Sequence, residues 1–211
     1  AYFYPYAFSR IKNKITSDIF YALDAGNYSN VVAGLYSWSF ALPVNGFIIP
    51  ATDSLTADAK GNPIFLDSLI SLEKRLPSDP AEPSNLERLE EVFNAKKSLM
   101  KYFLFLQSVS PEQTTKACQD FFMKYKILLD KDTSRAYASY MHFLENSENP
   151  EIAVVFVARC NNYSYQDFIR HATGETVSAP ESIQKISGKT ELSRPSVSSA
   201  KQIMDLIQNL R

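Results

Sequence analysis

The chain has 211 residues, of which 45% are hydrophobic and 21% are charged, and its formal net charge is −1 at pH 7. These values are typical of a globular protein that buries a core without disulfides or metals, and they exclude an intrinsically disordered chain. Acidic and basic residues are interleaved along the whole sequence, so no segment is basic enough to bind nucleic acid or anionic lipid through charge alone.

No segment has the roughly 18 consecutive apolar residues of a membrane span, and no signal peptide is recognisable. The cysteines, Cys118 and Cys160, are far apart in the sequence and lie where apolar residues are expected, which favours free thiols. We therefore predict a cytoplasmic protein. Two Asn-Tyr-Ser sequons, at Asn27 and Asn162, leave a secretory alternative open.

The N-terminus is rich in aromatic residues. Pro5 is expected to keep this stretch extended, as a strap across the core or as a contact site for a partner. The aromatic residues of the stretch are Tyr2, Phe3, Tyr4, Tyr6 and Phe8.

Two helices are predicted next. Apolar residues at helical spacing indicate a helix from Ser9 to about Ala25, and Gly26 would end it. A second helix is predicted to begin at Ser29 and to end before Pro43.

The junction between these helices carries small residues and a Gly-Asn-Tyr turn, within the segment that runs from Tyr21 to Tyr36. This segment resembles the helix-turn-helix junction of tetratricopeptide-like repeat arrays. No second copy follows at the period that such arrays require.

Residues 43–66 have the weakest helical pattern of the chain. Two short apolar runs, 47–49 and 64–66, predict either a small β-hairpin or an ordered loop without strands. A short helix is predicted after Asp67, and three prolines mark 77–83 as a linker.

Two capping boxes follow. The first, Ser84 to Glu87, predicts a long helix that ends near Val109. The second, Ser110 to Gln113, predicts a helix that ends at Leu129, with Pro111 in the favoured first position. Because the turn between them is short, we expect the two helices to pack antiparallel.

The remaining sequence predicts further helices. One lies near 134–144, and 164–174 forms a short one that ends at Gly174. Residues 152–157 are rich in β-branched side chains, but we predict helix there because no partner strand is evident.

The sequence thus predicts an all-α protein with seven to nine helices. We expect a helical domain over 1–172, a linker over 173–195 and an amphipathic helix over 196–211. The apolar face of that last helix consists of Ile203, Leu206, Ile207 and Leu210.

The sequence shows no recognised catalytic motif and no zinc-ligand spacing, so we predict neither a cofactor nor a metal. The function predicted is a helical adaptor that binds another protein through grooves between helices, using the aromatic strap and the C-terminal apolar face. One alternative is an enzyme that pairs Cys118 or Cys160 with His142 or His171. A second alternative is a binder of membrane surfaces, which would use the strap with three nearby basic residues, Arg10, Lys12 and Lys14.

Overall fold

A computed structural model of the chain describes residues 2–52, 55–59, 63–65, 85–93, 97–147, 151–187 and 199–209. The chain divides into two compact units, Ala1–Val177 and Ser178–Arg211. The first unit contains a four-stranded parallel sheet with helices on both faces, so the predicted all-α fold is wrong and the fold is α/β.

The strands are β1 (Ile19–Ala22), β2 (Gly46–Pro50), β3 (Leu55–Ala57), β4 (Pro63–Phe65), β5 (Leu104–Gln107) and β6 (Ala153–Phe156). The helices of the first unit are α1 (Phe3–Ile11), α2 (Ser29–Ser39), α3 (Leu86–Val92), α4 (Lys97–Met100), α5 (Pro111–Tyr125), α6 (Lys131–Glu145) and α7 (Gln166–Thr173). The second unit contains α8 (Glu181–Ser187) and α9 (Ala200–Asn209). The domain limits drawn from the sequence stay a prediction, and α8 lies inside the segment expected to be a linker.

The main sheet has the strand order β5-β2-β1-β6, and each neighbouring pair is parallel. One face carries Tyr21, Phe47 and Ile49, which pack in one core cluster with residues of α1 and α2. The other face carries Phe20 and Ile48, which pack against aromatic residues of α6. The sheet is therefore the middle layer of three.

The helix predicted over 9–25 is wrong because β1 occupies its second half. All four residues of β1 are buried, as expected of a parallel strand covered on both faces. A continuous apolar run of this kind fits a buried helix as well as a buried strand, so the spacing of its residues does not decide between them.

The helix predicted over 152–157 is also wrong, because β6 lies there. Its partner is β1, paired from Ile19 with Ala153 to Ala22 with Phe156. The prediction failed because the partner strand lies more than a hundred residues away in the sequence, beyond the reach of any local pattern.

Two further predictions are corrected by the structure. The aromatic N-terminus forms α1 rather than an extended strap. The long helix predicted over 84–109 is replaced by α3, α4 and β5 in the part of that range that the structure describes, so the predicted antiparallel pair with α5 does not form. Instead, α5 packs on α6, with the rings of Phe121 and Tyr137 4.8 Å apart.

Several predictions of where helices begin or end are confirmed. Helix α2 begins at Ser29. Ser110 and Gln113 form the capping box of α5, with Pro111 in its first turn. Helix α7 ends at Gly174, whose φ is +77°.

Two other sequence predictions have different outcomes. Within 43–66, β3 and β4 pair antiparallel, while β2 joins the main sheet. The capping box at Ser84, the helix after Asp67 and the linker at 77–83 lie outside the described residues.

Across the described residues, no helix combines the length and the apolar character needed to cross a membrane.

Candidate functional site

The strand order of the main sheet creates a point where the chain reverses direction across the sheet. From β1 the chain moves to β2 and then to β5 on one side, and it returns to pair β6 with the other side of β1. In open parallel sheets, ligands bind beyond the carboxyl ends of the strands at such a switch point. The loops that follow β1 and β6 therefore form the candidate site.

The loop after β1 contains a buried carboxylate. Asp24 is 5% exposed, and its Oδ1 accepts a hydrogen bond from the backbone N–H of Gly26 at 2.9 Å. Gly26 has a φ of +51°, in the left-handed region that favours glycine. Tyr28, just before α2, also has a positive φ, of 62°, and its N–H donates to the Ala25 carbonyl at 2.7 Å.

Two arginines face this carboxylate. Arg135, from α6, places Nη1 2.9 Å from Asp24 Oδ2, and its Nη2 donates to the Ala51 carbonyl at 3.3 Å. Arg159, from the loop after β6, has Nη1 4.0 Å from Asp24 Oδ1 and 3.9 Å from Asp132 Oδ2. Arg135 is held by direct hydrogen bonds, whereas Arg159 stays beyond hydrogen-bond distance of both carboxylates.

The second carboxylate, Asp132, lies in the first turn of α6. Its Oδ1 accepts from the Tyr165 hydroxyl at 3.1 Å, and its Oδ2 lies 3.7 Å from Cys160 Sγ. We call the six side chains around this point the switch-point cluster. The cluster comprises Asp24, Asp132, Arg135, Arg159, Cys160 and Tyr165.

The cluster is electrically balanced, with two acids and two arginines. Burial raises the pKa of Asp24, and the charge of Arg135 opposes that rise. Burial, together with the charge and hydrogen bond of Asp132, raises the pKa of Tyr165 to about 12. Burial and the charge of Asp132 also raise the pKa of Cys160, so this thiol is protonated at neutral pH and is a poor nucleophile.

The structure does not bring the predicted cysteine–histidine pair together. Cys118 is fully buried, and its Sγ donates to the Leu129 carbonyl at 3.6 Å. The groups that act on Cys160 are the carboxylates of Asp132 and Asp130, the guanidinium of Arg159 and the phenol of Tyr165, and none of them is an imidazole. His142 Nε2 lies 3.0 Å from the side-chain nitrogen of Gln113, and His171 is exposed on α7. None of these contacts activates a thiol.

The aromatic residues predicted to contact a partner lie on or beside α1 and differ in exposure to solvent. Tyr4 is buried, and its hydroxyl donates to the Asn30 carbonyl at 2.7 Å. Tyr2, Phe3 and Tyr6 are exposed by 92%, 81% and 64%. Phe8 and Tyr2 contribute to one apolar groove of about 520 Å³, and Phe3 and Tyr6 to another of about 220 Å³.

In the second unit, Ile203 and Ile207 are about half exposed on α9. The side chain of Leu206 and all of Leu210 lie outside the described residues. The role of the α1 and α9 residues in binding stays a prediction.

The central residues of the site, Asp24, Arg135 and Arg159, were not predicted from the sequence. One signal was present: a polar, glycine-containing loop directly follows the apolar run of β1 and precedes a helix. The segment that resembles a tetratricopeptide-like junction is this strand–loop–helix, so the helix-turn-helix implied there is wrong.

No family profile matches the chain. Among curated proteins, the chain is 26% identical over 188 residues to a threonine synthase of Buchnera aphidicola subsp. Acyrthosiphon pisum. The aligned region covers 86% of the chain and 41% of that protein. A threonine synthase of Buchnera aphidicola subsp. Schizaphis graminum is 26% identical over 187 residues, with the same coverage. The chain therefore spans about two fifths of the length of these relatives.

Solved structures of threonine synthases share the fold. The Escherichia coli enzyme has a TM-score of 0.61 at 18% identity, over 92% of this chain and 44% of its own. A PLP-bound enzyme from Brucella melitensis has a TM-score of 0.61 at 16% identity, over 89% of this chain and 46% of its own. The yeast enzyme has a TM-score of 0.60 at 15% identity, over 90% of this chain and 46% of its own.

These similarities correct the functional prediction. The proteins that the chain resembles are enzymes with an α/β fold, so the prediction of an all-α helical adaptor or scaffold is wrong. The enzyme alternative agrees better with the comparisons, although the cysteine–histidine pair it named is not assembled.

Proposed function

We propose that this chain is part of an enzyme of threonine synthase-like fold and that its switch-point cluster binds an amino acid. The observation that carries the proposal is the pairing of two arginines with two carboxylates at the carboxyl ends of β1 and β6. The similarity to threonine synthases supports it, since those enzymes are named for an amino acid product.

The charges of the cluster suit a zwitterion. An amino acid carries a carboxylate and an ammonium group on one carbon, so its site needs a cation and an anion close together. The side chains of Arg159 and Asp132 are 34% and 16% exposed, and Arg159 Nη1 lies 3.9 Å from Asp132 Oδ2. We assign Arg159 to the carboxylate of the ligand and Asp132 to its ammonium group.

The remaining residues of the cluster position these two. Arg135 donates hydrogen bonds to Asp24 and to the Ala51 carbonyl. It therefore acts as a positioning residue for the cluster. Tyr165 donates its hydrogen bond to Asp132 and so restrains the orientation of that carboxylate. Because the pKa of Tyr165 is raised to about 12, the phenol keeps this proton at neutral pH.

One of the similar structures contains PLP, a cofactor that supplies an electron sink for reactions of amino acids. PLP needs donors for its phosphate and a lysine for its aldehyde. The Gly26 N–H already donates to Asp24, the Ser29 N–H donates to Asn27 Oδ1 at 3.2 Å, and no member of the switch-point cluster is a lysine. These residues do not fit the phosphate of PLP, and the proposal derives no step through it.

The test is calorimetric titration of the chain with threonine. We expect saturable binding, and we expect Arg159→Gln to weaken it about 10- to 100-fold, because a charged hydrogen-bond partner of the ligand carboxylate is lost. Arg170→Gln is the matched control, since Arg170 lies on α7 and pairs with Asp167 rather than with the cluster. Threonine methyl ester, which lacks the carboxylate charge, should bind wild type as weakly as threonine binds Arg159→Gln.

Two results would overturn the proposal. One is the absence of saturable binding of threonine to wild type. The other is an equal loss of affinity in Arg159→Gln and Arg170→Gln, which would place the ligand away from the cluster.

We also propose a cytoplasmic location. Both cysteines are free, which suits a reducing compartment. The presence of a glycan at Asn27 or Asn162 in the native protein, detected by a mass shift after deglycosylation, would contradict this location.

A further inference from the structure

The loop after β1 lies at the position where anion-binding loops occur in parallel α/β sheets. It connects the carboxyl end of a central parallel strand to the N-terminus of α2 through Gly26 and a second residue with positive φ, Tyr28. Loops of this form bind anions through backbone N–H groups that point into one concavity, and the helix dipole favours the negative charge.

The chain's own carboxylate already takes this position. Asp24 is 95% buried, its Oδ1 accepts the Gly26 N–H at 2.9 Å, and its Oδ2 accepts from Arg135 Nη1, also at 2.9 Å. One carboxylate oxygen is thus bound to the loop backbone and the other to a guanidinium. A bound phosphate would require the same two kinds of donor.

Arg159 covers the loop from the other side. A Cβ built on Gly26 would lie 1.8 Å from Arg159 Nη1, so the guanidinium packs directly on the glycine backbone. This close approach is the reason that glycine is needed here beyond its φ. The surface that a phosphate would contact at Gly26 is therefore covered by a side chain of this chain.

We propose that Asp24 is an internal substitute for a bound anion, and that together with Arg159 it closes the cradle to phosphate groups, including the phosphate of PLP. The cluster keeps the donors of a phosphate site but uses them within the protein. This inference does not rest on the proposed amino-acid site, because that site assigns the ligand to Arg159 and Asp132 and not to Asp24 or the Gly26 N–H.

The test measures binding of inorganic phosphate by ³¹P line broadening and by the amide shift of Gly26 in ¹H–¹⁵N spectra. Wild type should show neither effect at millimolar phosphate. Asp24→Ala frees the Gly26 N–H and removes the carboxylate that faces both arginines, so it should bind phosphate about tenfold or more tightly than wild type, with a shift of the Gly26 amide. Asp24→Asn is the matched control: it removes the charge but still fills the cradle, and it should not bind.

A second variant covers the case in which Asp24→Ala leaves a buried arginine unpaired and fails to fold. The double variant with Asp24→Ala and Arg135→Met removes both members of the buried pair, which is better tolerated than the removal of one, and Arg159 remains to bind phosphate. Phosphate binding by wild type with a shift of the Gly26 amide would overturn the proposal. A folded Asp24→Ala variant, single or combined with Arg135→Met, that still does not bind phosphate would overturn it as well.

The same experiment separates the two proposals. Threonine binding to wild type tests the amino-acid site alone, whereas phosphate binding to the Asp24 variants tests the closed cradle alone. Failure of one leaves the other standing.

Discussion

Replacing Gly26 by alanine tests the packing of Arg159 at the switch point. The φ of Gly26 is +51°, and a left-handed conformation costs a residue with a Cβ about 1–2 kcal/mol. In addition, the new Cβ would lie 1.8 Å from Arg159 Nη1, so the guanidinium must move. The variant therefore combines a backbone cost with the cost of displacing one side chain.

The second cost follows from the contacts that Arg159 makes. Its ion pairs with Asp24 and Asp132 are long, at 4.0 and 3.9 Å, and its side chain is 34% exposed. Partly exposed pairs of this kind contribute up to about 1 kcal/mol each. Added to the backbone cost, these pairs bring the expected destabilisation of Gly26→Ala to about 1–4 kcal/mol.

Gly174 provides the matched control. Its φ is +77°, and nothing lies within 4 Å of a Cβ built there, so Gly174→Ala carries the backbone cost alone. We expect it to lose about 1–2 kcal/mol of unfolding free energy, less than Gly26→Ala. Urea unfolding monitored by circular dichroism measures both values under the same conditions.

A double variant isolates the contribution of Arg159. In an Arg159→Ala background the new Cβ of Gly26→Ala meets no guanidinium, so its effect should fall to that of Gly174→Ala. Equal destabilisation by the two glycine variants in wild type would refute the reasoning, because it would mean that Arg159 does not pack on the Gly26 backbone.

Three further predictions concern other groups. The pKa of Tyr165 is raised from 10 to about 12, so the folded state holds this proton more tightly than the unfolded state. The free energy of unfolding should therefore fall as the pH rises from 10 to about 12. In Tyr165→Phe, the urea midpoint should fall less over the same pH range. Iodoacetamide should modify half-buried Cys160 slowly in the native protein and buried Cys118 only after denaturation, as read by mass spectrometry. Gly34→Ala should cost about 1–3 kcal/mol in urea unfolding, since its Cβ would lie 2.4 Å from buried Phe47, and an unchanged midpoint would contradict this packing.

The features of this protein that can be predicted from its sequence are helix ends, which depend on residues within about one helical turn of each other. The Ser110–Gln113 capping box is made by two side chains and two backbone groups three residues apart. The end of α7 depends on one glycine whose missing Cβ permits a left-handed φ. Such interactions involve only residues close together in the sequence, so a local pattern is enough to predict them.

The sheet was decided by contacts between distant segments. Phe20 lies between Gly46 on one side and Val154 on the other, and neither partner can be identified from the residues around it. A buried parallel strand and a buried helix present the same apolar run, and only the pairing distinguishes them. This is why β1 and β6 were predicted as helices.

The candidate site depends on the sheet in turn. Asp24, Arg135 and Arg159 come from three separate segments, and the hydrogen bond from Arg135 to Asp24 spans 111 positions of the chain. None of these residues belongs to a motif. Each is an ordinary charged residue until the parallel pairing of β1 with β6 places the loops of Asp24 and Arg159 side by side and α6 packs on the sheet. The charges were present in the sequence, but their proximity, and therefore their chemistry, came only from the tertiary structure.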